Sequence, residues 1–225
     1  MIHMTETLAV HTVEGFLTPD ETAEVVKLLD DHLEATRWVP VRPSDGIVAP
    51  DAVQEILAGA VARALPTIRR VFPSAAAATP WDYHDLGPGD RIPPHVHGVS
   101  DPDGRPQRVA RVAFHLQEAE RGGEFYVDTC ASDALWTGRT AGPGSGFAPG
   151  TRFVREISHH AGPQAVAALS GIPRTRWTSA PPAGTAVVYG AQLVHGVETV
   201  REGRLRKLIT NLMDGPVSPP PPRTG

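Results

Sequence analysis

Residues 91–101 read RIPPHVHGVSD, with His95 and His97 one residue apart. Alternate residues of an extended chain project from the same face, so both imidazoles can reach one point. Imidazole is a borderline ligand that suits zinc, copper, iron or nickel. Two such rings grip a divalent ion and need a third ligand from elsewhere. His195, in QLVHGVETV, follows the strand-like run AGTAVVYG and is the candidate for that third position. Asp101, four residues beyond His97, is the candidate to accept a hydrogen bond from one ligand imidazole, as ligating histidines usually require.

The chain has ten histidines, and five of the others are read as structural or exposed. His3 and His11 lie near the N-terminus, His32 on a helix, and His159 and His160 in a segment rich in Gly, Pro, Ser and Thr. Glu124 and Arg108 are read as architectural. No Ser-His-Asp order, phosphate loop or Cys-x-x-Cys pair offers a competing chemistry.

Such a site has to be built on strands, and strand-like runs begin near residue 80. WDYHDLG, RVARVAFHLQ, GEFYVDT, GTAVVYG and RKLITNLMD are short runs separated by Gly and Pro. Helices precede them. FLTPDETAEVVKLLDDHLEAT opens with Thr18, Pro19 and Glu21, a capping box with proline at the first helical position. Val25, Val26, Leu28, Leu29 and Leu33 give it an apolar stripe. A second helix is predicted over PDAVQEILAGAVARAL, ended or bent by Pro66.

Helices followed by strands predict an α+β fold, a helical support over about 15–72 and a barrel over about 79–214. An insertion over about 129–180 is predicted to be irregular and to form a mobile cover for the barrel mouth, with Trp136 and Trp177 as apolar walls. The proline-rich tail, 215–225, is expected to be disordered.

At 225 residues, 40% hydrophobic and 20% charged, the chain reads as one soluble domain. A net charge of −4 carries no basic footprint, which argues against nucleic acid as a partner. The single cysteine, Cys130, fits a reducing compartment. MIHMTETLAV is no secretory signal, and no apolar run is long enough to span a membrane, so a cytoplasmic location is expected. Oligomeric state is left open.

From Leu86 to Leu212 the order of features resembles the prolyl 4-hydroxylase type of iron(II)/2-oxoglutarate-dependent oxygenase. LGPGDRIPPHVH matches that family's Pro-Gly turn and His-x-Asp. RVARVAFHLQEAERGGEFYV matches its R-x-A-x-V strand and Gly-Gly-Glu, and PPAGTAVVYGAQLVHGVETVREGRLRKLIT its Pro-x-x-Gly strand, lone histidine and following basic residue. The resemblance implies a double-stranded β-helix (a jelly-roll or cupin-like barrel) with N-terminal support helices. It also implies Fe(II), 2-oxoglutarate and O2, acting on a small molecule such as an amino acid or natural-product intermediate. His95 and His195 match the two ligand histidines, and His97 stands where the family has aspartate. The basic partner of the 2-oxoglutarate distal carboxylate would be Arg206 or Arg204. Arg206 is favoured because it shares a strand face with Leu208 and Thr210.

Two other readings stay open. Gly89, His95, His97 and Asp101 also resemble the first cupin motif, which implies a three-histidine dioxygenase without 2-oxoglutarate. The second cupin motif then fails, because its histidine position holds Val187. The other reading is a non-catalytic binding barrel.

Overall fold

Thr18 starts the first long helix as the sequence predicts. The computed structural model describes residues 1–42, 45–130, 132–159, 167, 169 and 171–217. His160 and the tail from 218 onward lie outside the described residues. Helix Pro19–Thr36 opens with a reciprocal cap: the Glu21 N–H donates to Thr18 Oγ1 at 3.2 Å, and the Thr18 N–H donates to Glu21 Oε2 at 2.9 Å. Helix Asp51–Ile68 runs past Pro66 instead of stopping there. Pro66 sits in the last turn, and the Arg69 N–H still reaches the Leu65 carbonyl at 2.9 Å.

The strands form two main sheets. The larger has seven strands, with spatial order Val10–Val13, Ala186–Gly190, Arg108–Gln117, Leu205–Met213, Asp82–Leu86 and Gly46–Val48, and with Ala77–Ala78 also paired to Leu205–Met213. The smaller has four, in the order Arg174–Ser179, Phe125–Cys130, Val194–Val197 and Ile92–His95. Together they make a double-stranded β-helix backed by helices.

Alternation along each strand decides what faces where. On the larger sheet Val112, Phe114, Val188, Leu208 and Leu212 join Val25, Leu29, Val53 and Leu57 of the two helices in one apolar core. Their neighbours Ala113, Val187 and Tyr189 turn the other way and pack against Phe125 and Val127 of the smaller sheet. The larger sheet is therefore buried on both faces, and its inner face forms one wall of the barrel.

The expected irregular insertion is more regular than its composition predicts. Trp136–Thr140 pairs with Arg152–Val154, and Arg174–Ser179 pairs in register with Phe125–Cys130 as an edge strand. Leu135, Val154 and Leu169 bury against Val96 and Val194, so the segment has an apolar core of its own. It also crosses the ligand strand closely: a Cβ on Gly98, whose φ is +59°, would stand 2.7 Å from the Glu156 amide nitrogen. Trp136 stacks under the Arg152 guanidinium, and Trp177 is exposed on the edge strand of the smaller sheet.

Candidate metal centre

Strand pairing brings the histidines together. Ile92–His95 lies antiparallel to Val194–Val197 with His95 directly opposite His195. Cross-strand partners project to the same side, so the two rings meet with centroids 4.1 Å apart. His97, two residues on, returns to the same face, 5.0 Å from His95 and 5.2 Å from His195. One ring nitrogen from each of the three lies within 4.8 Å of the others.

The hydrogen bonds fix which nitrogen is offered. Nδ1 of His95 lies 3.0 Å from the Pro93 carbonyl, and Nδ1 of His195 lies 2.9 Å from that of Leu193. A carbonyl can only accept, so both rings carry their proton on Nδ1 and present a bare Nε2. The His195 Nε2 is buried with no partner among the described residues. The Nε2 of His97 lies 2.5 Å from Nη1 of Arg111, which can only donate, so it too carries a lone pair. Burial first, then neighbouring positive charge, holds all three imidazoles well below their usual pKa. Three neutral imidazoles with converging lone pairs fit a borderline divalent metal.

The histidines line a cavity of about 260 Å³ together with Asp82, His84, Arg111, His159, Tyr189 and Lys207. His159, read from the sequence as structural or exposed, comes from the segment crossing the barrel mouth, and its ring centroid is 4.5 Å from that of His95. The Ile157–Val96 bridge positions it, a tertiary contact with no sequence signal.

Neither arginine expected at the carboxylate anchor lines this cavity. Arg206 faces the support helices, donating from Nε to the Tyr83 hydroxyl at 2.8 Å and from Nη2 to Asp30 at 2.5 Å. Arg204 forms a two-point pair with Asp85, at 2.6 and 2.5 Å. Their neighbour Lys207 occupies the inner face and is only 3% exposed. Leu208, on the same strand face as Arg206, packs into the helix-side core, whereas the expectation put Arg206 on the inward face. Asp101, expected to support a ligand imidazole, lines a neighbouring cavity that His97 also borders, and its Oδ1 accepts from the Asp103 N–H at 3.2 Å. Backbone carbonyls orient two of the imidazoles instead.

No protein-family model matches the chain, and no curated protein matches it by sequence. Solved structures do. The non-heme α-ketoglutarate-dependent carbocyclase SnoK from nogalamycin biosynthesis superposes with a TM-score of 0.62 at 14% identity, over 94% of this chain and 81% of that one. A Pseudomonas putida prolyl-4-hydroxylase gives 0.55 at 14% identity, over 93% and 95%. An oxidoreductase of the 2OG-Fe(II) oxygenase family from Burkholderia pseudomallei gives 0.53 at 17% identity, over 92% and 84%. Likeness at these identities establishes architecture, and this chain has the double-stranded β-helix fold found in 2-oxoglutarate-dependent iron(II) oxygenases.

Proposed function

We propose that this protein is an iron(II)- and 2-oxoglutarate-dependent dioxygenase acting on a small molecule. The observation that carries the reading is the convergence of three neutral imidazoles, His95, His97 and His195, in one cavity with the buried amine of Lys207. The donor set alone fits several metals; the fold supports iron. Iron(II), with 2-oxoglutarate and O2 as co-substrates, supplies oxidation of a substrate C–H bond coupled to decarboxylation of 2-oxoglutarate to succinate.

The protein's own part is positioning and shielding. His95 and His195 hold their lone pairs toward the cavity because the Pro93 and Leu193 carbonyls lock their Nδ1 protons. Lys207 reaches the same space from the strand paired to Arg108–Gln117 and would take the distal carboxylate of 2-oxoglutarate. Phe125, Tyr189 and Ala113 wall the inner end and exclude water from the reacting atoms. The segment carrying His159 crosses the mouth, where a substrate enters. Its own strand pairs make it a shaped rim, and rim residues on a rigid scaffold set specificity. A cytoplasmic setting suits the free thiol of Cys130.

Iron-loaded protein should release CO2 from 2-oxoglutarate, with slow uncoupled turnover even without its substrate. With 2-oxoglutarate saturating, His97→Ala should lower iron affinity at least tenfold and abolish that turnover, since two imidazoles hold a divalent ion far less firmly than three. Unchanged iron affinity in His97→Ala would remove His97 from the ligand set, and absence of 2-oxoglutarate consumption under all conditions would overturn the assignment.

A further inference from the structure

Arg111 stands inside the proposed metal centre with no ion-pair contact among the described residues, although Asp82 in the same cavity feels its charge. It projects from strand Arg108–Gln117 into the cavity, one turn of the pleat from Ala113, with Tyr189 directly across the sheet. Among the described residues it makes no ion pair, and its Nε is buried with no partner. Arg108, three residues away, is likewise without an ion pair, and its Nε is also buried and unpartnered among the described residues. Asp82 is the only carboxylate among the described residues lining the cavity. A guanidinium carries five donors in a planar fork, and this one spends Nη1 on His97 at 2.5 Å.

Arg111 also hydrogen-bonds the Tyr189 hydroxyl, but the contact with His97 has two consequences. The lone pair of His97 Nε2 cannot serve a guanidinium N–H and a metal ion together, so Arg111 competes with the metal for its third ligand. Arg111 is also a fixed positive charge beside a dication whose three ligands are all neutral. Repulsion at such short range in a buried site is strong, and no ligand carboxylate offsets it. Both effects disappear when a carboxylate enters the cavity. Two carboxylate oxygens match the guanidinium fork, draw it away from His97 and neutralise its charge.

We infer that Arg111 is a positioning residue that makes metal retention depend on a carboxylate ligand bound in the same cavity. The guanidinium holds the His97 lone pair until a carboxylate draws it off, and metal and carboxylate then bind cooperatively. This rests on the reading of the three histidines as a metal centre. It also gives a reason for imidazole at position 97. An aspartate there would form a closed ion pair with Arg111, whereas a neutral ring leaves the guanidinium available to a ligand.

The test is titration of cobalt(II), an ion less prone to oxidation than iron(II), into the full chain and into Arg111→Met, with Arg111→Gln as a second charge-removing variant should the first fail to fold. With cobalt alone, the variant should bind at least tenfold more tightly than wild type. A purely structural role for Arg111 predicts the opposite sign. Saturating 2-oxoglutarate should close most of that gap if the co-substrate supplies the carboxylate. If it does not, adding acetate on top of 2-oxoglutarate should close it, which assigns the carboxylate to a second ligand. Equal or weaker cobalt binding by both variants overturns the inference while leaving the metal centre intact, as does a gap that neither carboxylate narrows. If no protein takes up cobalt under any condition, the metal-centre reading itself falls and the inference falls with it.

Discussion

Lys207 shares its cavity with Arg111 and is almost wholly removed from water, so an ammonium there is poorly solvated. Burial first, and then the Arg111 charge, brings its pKa from 10.5 down to about 7. An incoming carboxylate favours the ammonium form and pushes that pKa back up. At about pH 8 the free lysine is mostly neutral, so 2-oxoglutarate binding should draw in up to roughly one proton. At about pH 6 the lysine is already charged and the uptake should vanish. Calorimetry in buffers of different ionisation enthalpy measures this directly, and Lys207→Met should show no uptake at either pH. The same shift has a sign for folding. Between about 7 and 10.5 the unfolded chain binds the proton and the native protein does not, so stability should rise with pH across that window. Uptake that persists in Lys207→Met would assign the proton to another group.

At the level of elements, the His95–His195 pairing depends on how closely two strands approach. A Cβ on Gly196 would stand 2.2 Å from the Tyr126 hydroxyl and 2.5 Å from the Ile92 carbonyl. The buried Tyr126 ring would have to shift, and the carbonyl belongs to the ligand strand itself. Gly196→Ala should therefore push strand Ile92–His95 outward, costing about 1–3 kcal/mol of stability and reducing metal occupancy. Thermal denaturation and metal analysis check it; a variant with native stability and native metal content would show that the strands tolerate separation. The histidine pair was legible in the sequence because a period of two needs no tertiary information. The anchor was not. Arg206 and Lys207 alternate on one strand, but helices cover one face and the barrel lies on the other. Leu208 and Ile209 are both buried, so apolar pattern does not tell the faces apart. The strands within 129–180 were hidden for a related reason. Runs such as RFV and RTRWTS are short and rich in charge, and they acquire their partners only when the segment folds back across the barrel.

Over the whole molecule, helices, larger sheet and cavity form successive layers, and neighbouring residues of one strand serve different layers. Arg206 ties strand Leu205–Met213 to helix Pro19–Thr36 through Asp30 and to strand Asp82–Leu86 through Tyr83, while Lys207 faces the cavity. Arg206→Ala should cost about 1–3 kcal/mol of stability, chiefly because the buried Tyr83 hydroxyl loses its donor, and should leave ligand binding within twofold. Lys207→Met should do the reverse, removing a buried amine whose charged form opposes folding below about pH 7 and leaving a carboxylate unpaired in the complex. The measurement that tests the account most directly is anaerobic calorimetric titration of 2-oxoglutarate into iron(II)-loaded wild type, Arg206→Ala and Lys207→Met. The account predicts one site in wild type, nearly unchanged in Arg206→Ala, and weakened by about 2–4 kcal/mol in Lys207→Met. Equal binding by Lys207→Met and wild type, or no binding by any of the three, would contradict it.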